Sequence, residues 1–313
     1  MRIEVPFIKG HMGGNGMVLL WGDIPSDKQL QIALDALRPP YNLGNDLGVL
    51  RKSNTENVLE VDMTWRFDDE YIPMVGGLTQ VLGRALVDVP QLAADLGIQV
   101  VEPAFTITLE TGVGLVPITV EIEQSEVKRV LTDMTHYGEE CYREGIREVH
   151  VAGVSGMQVG EFLVMNAEKI TNKYPTVDLE RMDLNTLAIL EDFQKEWHEK
   201  YPPGYLCFSI YDLHPKDKGQ ARAVFPHNAA ISYIEPSCAT GTVAVCIAML
   251  EQGEIETQNG EARISFETGG EPTLGGPELS DLILKVADNK VVKVEFSHSL
   301  IQTLATGNIW FTY

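Results

Sequence analysis

Apolar positions alternate or run together over 1–9 and 16–21, which predicts two strands separated by the segment Gly10-His11-Met12-Gly13-Gly14-Asn15. The spacing over 26–37 predicts a helix capped by Ser26 and ended by Pro39-Pro40. Strands follow near 47–51 and 58–67, then a polar turn at 68–70 and a helix over 78–87. Period-two or β-branched patterning predicts strands at 98–101, 104–110 and 115–123, and 125–132 reads as strand or turn. A short helix is expected at 136–145, strands at 148–152 and 161–165, and a helix with a solvated face at 183–200. Strands at 204–212 and 221–225 precede a turn at 239–241 that opens a helix over 242–251. The tail reads as strand at 262–267, 281–287, 291–297 and 308–312. Many antiparallel strands with few long helices define an α+β class.

Two segment pairs repeat in the same order. Residues 16–28 resemble 204–218, and Pro73-Met74-Val75-Gly76-Gly77-Leu78-Thr79 matches Pro236-Ser237-Cys238-Ala239-Thr240-Gly241-Thr242 at identical spacing. The expectation is a duplicated unit: strand, small-residue turn, helix. The N-terminal half is expected over 1–130, joined by a C-terminal strand at 302–313, and the C-terminal half over 131–301.

Composition narrows the function. With 313 residues, 44% hydrophobic and 22% charged, the chain is long enough for two cored units. A net charge of −21 argues against a nucleic-acid partner, whose phosphates need an excess of Lys and Arg, and against an anionic membrane surface. The longest apolar run, 243–250, is far short of a membrane span. The first residues read directly as a strand, without a hydrophobic leader pattern, so a reducing cytoplasm is the expected compartment. A homodimer is the default oligomer.

Of the four cysteines, Cys238 stands out because it precedes a predicted helix. Unpaired N–H groups and the partial positive charge of a helix start favour a thiolate and predict a lowered pKa. The amides of Ala239, Thr240, Gly241 and Thr242 are suited to hold a carboxylate. A thiolate beside an anion cradle is equipped to remove a proton next to a carboxylate. Cys246 and Cys207 lie in apolar runs and read as core, and Cys141, among Glu139, Glu140 and Arg143, as surface or half-buried. His227 and Glu235 are candidates to tune Cys238. The histidines show no metal-ligand spacing, so no metal is expected; zinc-deaminase, nucleophile-elbow, P-loop and dinucleotide motifs all fail on spacing.

These residues resemble the diaminopimelate epimerase and proline racemase superfamily over nearly the whole chain. His11-Met12-Gly13-Gly14-Asn15 is similar to its opening His-x-Gly-Gly or His-Gly-x-Gly-Asn segment, and Gly44-Asn45-Asp46-Leu47-Gly48 to its Gly-x-Asp-Gly segment. The stretch from Asp69 to Thr79 resembles one ending Met-Cys-Gly-His-Gly-Thr, and Ser237-Cys238-Ala239-Thr240-Gly241-Thr242 one reading Pro-Cys-Gly-Thr-Gly-Thr. The resemblance implies two pseudo-symmetric halves, each a sheet wrapped around a central helix, with the active site in the cleft between them. It implies an isomerase without pyridoxal phosphate or other cofactor, acting on a small carboxylate or amino acid through two opposed cysteines. It also implies that Asn15, Gly76, Gly77 and Thr79 bind substrate together with the 239–242 turn.

The sequence departs from that pattern at one decisive place: Val75 stands where the first cysteine belongs. A second acid or base must then come from elsewhere, with His11, Asp69 and Glu70 as candidates, or the chemistry uses one thiol. One thiol suits a double-bond shift. It also suits elimination, as in a hydroxy-acid or hydroxyamino-acid dehydratase; a non-catalytic carboxylate-binding protein is the remaining alternative.

Overall fold

The computed structural model describes residues 2–201, 207–228, 233–268, 276–288 and 290–313. It is a mixed α and β fold with seven helices among the described residues. Two compact units divide the chain: Met1–His136 with Ser297–Tyr313, and Tyr137–Phe296.

The first unit runs β1 (Arg2–Met12), β2 (Asn15–Leu20), α1 (Gln29–Leu37), β3 (Asp46–Lys52), β4 (Val58–Trp65), β5 (Tyr71–Ile72), α2 (Gly76–Asp88), α3 (Pro90–Leu96), β6 (Ala104–Thr111), β7 (Gly114–Glu123) and β8 (Glu126–Asp133). The chain's last strand, labelled β18 (Ile301–Thr312), returns to pair antiparallel with β1. β1 and β2 are antiparallel, β2 and β3 parallel, β3 and β4 antiparallel. The other edge of β4 is shared by antiparallel β5 and parallel β6, and β6, β7 and β8 form a meander. This sheet curls around α2, which touches β1, β2, β3, β7, β8 and β18. Its residues from Gly76 through Gly83 are all buried, as a helix enclosed on every side requires. α1 covers the outer face, where Ile32, Ala33, Ala36 and Leu37 pack on Val5, Val18, Leu20, Leu47 and Val49.

The second unit begins within α4 (Thr135–Glu144) and continues through β9 (Ile146–Val151), β10 (Val154–Val159), β11 (Phe162–Asn166), α5 (Ala167–Lys173), α6 (Leu184–Lys200), β12 (Cys207–Asp212), β13 (Ala221–Asn228), β14 (Tyr233–Glu235), α7 (Ala239–Glu251), β15 (Glu261–Glu267), β16 (Leu279–Ala287) and β17 (Lys290–His298). Its ladder repeats the first unit's. β9, β10 and β11 are antiparallel neighbours, β11 and β12 are parallel, and β12 and β13 antiparallel. The other edge of β13 is shared by antiparallel β14 and parallel β15, and β15 pairs with β16. α7 takes the place of α2 and touches β10, β11, β12 and β16. α5 and α6 cover the outer face, with Leu190, Phe193 and Trp197 against Phe208, Ile210 and Val224.

The duplicated unit is thus present, and the second repeat pair (73–79 with 236–242) falls on equivalent elements. The first pair is corrected. β12 is the counterpart of β3, not of β2, because it pairs parallel to the preceding strand across a helical connection; residues 204–206 lie outside the described residues. Residues 98–101 are not a strand. The Ile98 N–H folds back onto the Ala93 carbonyl (2.8 Å) past the left-handed Gly97 cap, so its apolar side chain closes the end of α3. Ser26 does not cap α1: residues 25–28 form a turn in which Lys28 N–H donates to the Pro25 carbonyl, and the helix starts at Gln29. The pattern also missed α3, α5, β5, β10 and β14, all of seven residues or fewer.

Candidate active site

Each central helix starts at the residue that the sequence aligned. Val75 is the N-cap of α2, with φ −130° and ψ 101°; Cys238 is the N-cap of α7, with φ −132° and ψ 115°.

At Cys238 the sulfur itself does the capping. Gly241 N–H donates to Sγ at 3.3 Å, and the Thr240 hydroxyl lies 3.3 Å from Sγ. Thr242 closes the turn behind it, donating through both its hydroxyl (2.6 Å) and its amide (2.9 Å) to the Cys238 carbonyl. Gly241 is required here: a Cβ would fall 2.7 Å from the Phe225 ring and 3.1 Å from Phe162. Ala239, Gly241 and Thr242 are buried and Thr240 is half-buried.

The charge state differs from the sequence expectation. Burial pushes the Cys238 thiol well above its ordinary value, and the Glu235 carboxylate pushes it further. The hydrogen bonds from Thr240 and Gly241 pull the other way without reversing this. Cys238 is only 7% exposed. Desolvation outweighs the helix start, so the resting group is a thiol, not a thiolate.

Two other cysteines need correcting as well. Cys141 is 2% exposed, because α4 turns Tyr137, Gly138 and Cys141 inward and its charged neighbours outward. Cys207 is half-buried, at the first position of β12. Cys246 is core, as expected. Tyr137 gathers this region: its hydroxyl donates to Glu161 Oε1 at 3.4 Å and hydrogen-bonds Cys141. Burial pushes the Tyr137 phenol well up, and Cys141, Glu161, Cys207 and Cys238 reinforce this electrostatically. Sequence reasoning missed Tyr137 and Glu161, and no sequence signal marks them, since α4 and the turn before β11 meet only in the folded unit. The His227 side chain lies outside the described residues.

The corresponding turn of the first unit is apolar. Val75 N–H points to the Met63 sulfur at 3.0 Å. Gly77 sits so close to Met17 that a Cβ would fall 2.2 Å from its Cε, and Met12 lies beyond. The Thr79 hydroxyl donates to the Gly76 carbonyl (2.7 Å) and meets Thr132 Oγ1 (2.6 Å). Gln80 Nε2 donates to that same Thr132 oxygen at 2.7 Å, and Gln80 Oε1 accepts from His298 N–H at 3.2 Å. Gly76, Gly77 and Thr79 are all buried, and the Thr79 hydroxyl holds the start of its own helix.

Asn15 is fully buried and ties β2 to the start of β3: its Nδ2 donates to Asp46 Oδ2 (3.2 Å) and its Oδ1 accepts from Asn45 Nδ2 (2.9 Å). His11 is half-buried. Its Nδ1 accepts from Gly14 N–H at 3.1 Å, which leaves Nε2–H to donate to Gln302 Oε1 at 3.0 Å. Asp69 is exposed on a turn and paired with Arg38 at 2.8 Å; Glu70 is exposed beside it. Among the described residues, no group of three or more His, Cys, Asp or Glu side chains is arranged to hold a metal ion. No described helix is long and apolar enough to cross a membrane.

No protein-family model and no curated protein sequence matches the chain. Solved structures do. A probable proline racemase from Agrobacterium radiobacter K84, with bound carbonate, is 11% identical, with 97% of this chain and 92% of that chain covered and a TM-score of 0.68. A hydroxyproline epimerase from Agrobacterium vitis, with bound trans-4-hydroxy-L-proline, is 12% identical over 99% of this chain and 94% of that one, with a TM-score of 0.66. A methylitaconate delta-isomerase is 15% identical over 99% and 96%, with a TM-score of 0.59. At these identities the likeness is one of fold: the chain has a proline racemase-like fold over essentially its whole length.

Proposed function

We propose that the protein is a cofactor-independent isomerase of small carboxylates, with Cys238 as its proton-exchanging group. The observation that carries this reading is the Cys238 sulfur at the N-cap of α7, held by the Gly241 amide and the Thr240 hydroxyl. The similar structures support it, since racemase, epimerase and delta-isomerase all denote isomerisations. With the Gly241 and Thr242 amides engaged by Cys238, the α7 start leaves the Ala239 and Thr240 amides as donors for a carboxylate, and the buried thiol offers a proton.

By the sequence resemblance, Val75 stands where a second cysteine is expected, so we read a one-thiol isomerisation. Val75 carries no exchangeable proton, and its surroundings at the α2 start are methionine and glycine. A single thiol moves a proton away and back on one face of the substrate, which suits a double-bond shift better than inversion at carbon. Because Cys238 rests protonated, the thiol first gives a proton or is first deprotonated by a neighbour; Glu235 is the carboxylate that acts on it electrostatically.

The test is proton exchange in deuterated water, followed by NMR, on a panel of small amino, hydroxy and unsaturated carboxylates with no added cofactor. Deuterium next to the carboxylate in a rearranged product, absent for Cys238→Ala, is the expected result. Loss of water or ammonia assigns the scaffold to elimination. Binding without exchange makes it a carboxylate-binding protein.

A further inference from the structure

A strand sends alternate side chains to opposite faces of its sheet. On β12, Phe208 and Ile210 pack outward with Phe193 and Trp197 of α6. Cys207, Ser209 and Tyr211 therefore face inward, towards α7, which β12 touches. Tyr211 fixes the direction: its hydroxyl donates to Glu254 Oε2 at 2.7 Å and accepts from Gln252 Nε2 at 3.2 Å, at the end of α7. Four residues back along the strand, Cys207 lies towards the other end of the helix, which Cys238 caps. The ladder agrees. Cys207 pairs with Phe162, and the Phe162 ring lies against Gly241, whose amide donates to the Cys238 sulfur. The first unit repeats the arrangement: Asp46 pairs with Met17, and Met17 lies against Gly77 in the first turn of α2. The strand position that carries a carboxylate there carries a thiol here.

The two thiols differ in their access to water. Cys238 is 7% exposed, while among the described cysteines Cys207 alone is not buried. A buried thiol that must lose its proton before it can act as a base needs a neighbour to take that proton. Glu235, the carboxylate that acts on Cys238, is itself only 8% exposed. On the α4 side, burial holds both Tyr137 and Cys141 protonated, and Glu161 is engaged by the Tyr137 hydroxyl. Cys207 has both the position and the access. It acts on Cys238 electrostatically, and Tyr137 feels both sulfurs.

We propose that Cys207 is the proton relay of Cys238, carrying protons between water and the buried sulfur. This rests on the reading of Cys238 as the proton-exchanging group. The Cys207 S–H loses its proton to water. The Cys207 thiolate then takes the proton of the Cys238 S–H, which leaves Cys238 as the thiolate that removes a proton from the substrate carbon. The same sulfur returns a proton to the rearranged carbon, and exchange through Cys207 in between replaces the substrate's proton with one from the solvent. Each step moves one proton, and nothing is oxidised or reduced. Cys207 acts through Cys238 and does not touch the substrate.

The test has one arm without substrate and one with it. Phenylarsine oxide bridges two thiols only where they stand close together. Intact-mass measurement should show one bridged equivalent on the parent chain and on Cys141→Ala, and none on Cys207→Ala or Cys238→Ala. With the carboxylate that the parent isomerises, Cys207→Ala should lower kcat by roughly a hundredfold at unchanged KM, the low end of what a positioned acid or base contributes. It should also lower the deuterium carried into product per turnover in deuterated water. Added imidazole should restore both, which it does not do for a merely structural loss. A parent chain that is not bridged overturns the pairing of the two thiols. Undiminished kcat and deuterium uptake in Cys207→Ala overturn the relay and leave Cys238 as the proton-exchanging group. A bridged parent chain that isomerises nothing overturns the reading of Cys238 and the relay with it.

Discussion

Val75 and Cys238 are backbone equivalents. Each is the N-cap of the thirteen-residue helix at the centre of its unit, and their φ and ψ angles agree within 2° and 14°. The duplicated fold has kept the position and changed its chemistry, from a sulfur that caps its own helix to an isopropyl group that caps nothing.

Restoring a sulfur at the first position should therefore be structurally mild. Val75→Cys removes roughly one methyl group from a buried site, a cost of about 1 kcal/mol. Urea denaturation should show a small shift in midpoint with no change in slope.

Cys238 should behave as a protected thiol. Its folded-state pKa lies above the ordinary value, so iodoacetamide should reach half-buried Cys207 first and modify Cys238 only at strongly alkaline pH. A neighbouring anion raises a thiol pKa, so removing it must lower the pKa. Glu235→Gln should accelerate Cys238 alkylation at a given pH, read by peptide mass spectrometry. An unchanged rate would remove Glu235 from the site's electrostatics.

The two helix starts should differ in their tolerance of a methyl group. Gly241→Ala drives a Cβ into the Phe225 and Phe162 rings, while Gly77→Ala meets the flexible end of Met17. The first should cost about 1–3 kcal/mol, in the range of overpacked cores, and the second less, by thermal or chemical denaturation. Gly241→Ala should also raise Cys238 reactivity, because the amide that caps the sulfur must move.

Acid should weaken the first unit through His298. Burial holds its imidazole at about 4, and its Nδ1 accepts from Leu300 N–H at 3.0 Å. The folded pKa is depressed below the unfolded value of roughly 6.5, so the unfolded chain binds the proton first as pH falls. Stability contributed above pH 6.5 is lost progressively towards pH 4, up to about 3 kcal/mol for this group. His298→Asn keeps an acceptor and removes the titration, so the difference between its unfolding free energies at the two ends of that window should shrink.

The parts of the fold legible in the sequence were those with a strong local signal. The strands of β1, β6 and β7 alternate, β2 is a short apolar run, and the continuously apolar 243–250 run could only be an enclosed helix. The turn pair 73–79 and 236–242 was also legible, because a helix start imposes particular residue sizes at particular steps. The strand pair 16–28 and 204–218 misled because a short apolar run suits any strand of a covered sheet, and only the ladder tells β3 from β2. Short α3 and α5 are too brief to hold themselves and form only against their unit.

The sequence by itself determined the duplicated architecture, the two helix starts and the exchange of cysteine for valine between them. These depend on periodicity and residue identity, which are written along the chain. Only the tertiary structure decided that Cys238 rests as a thiol, that Thr79 and Asn15 are bound within their own unit, and that Tyr137 lies within electrostatic reach of both Glu161 and Cys238. Charge state follows from desolvation and from the company a group keeps. Both are set by residues far apart along the chain, so neither is written in the residues beside it.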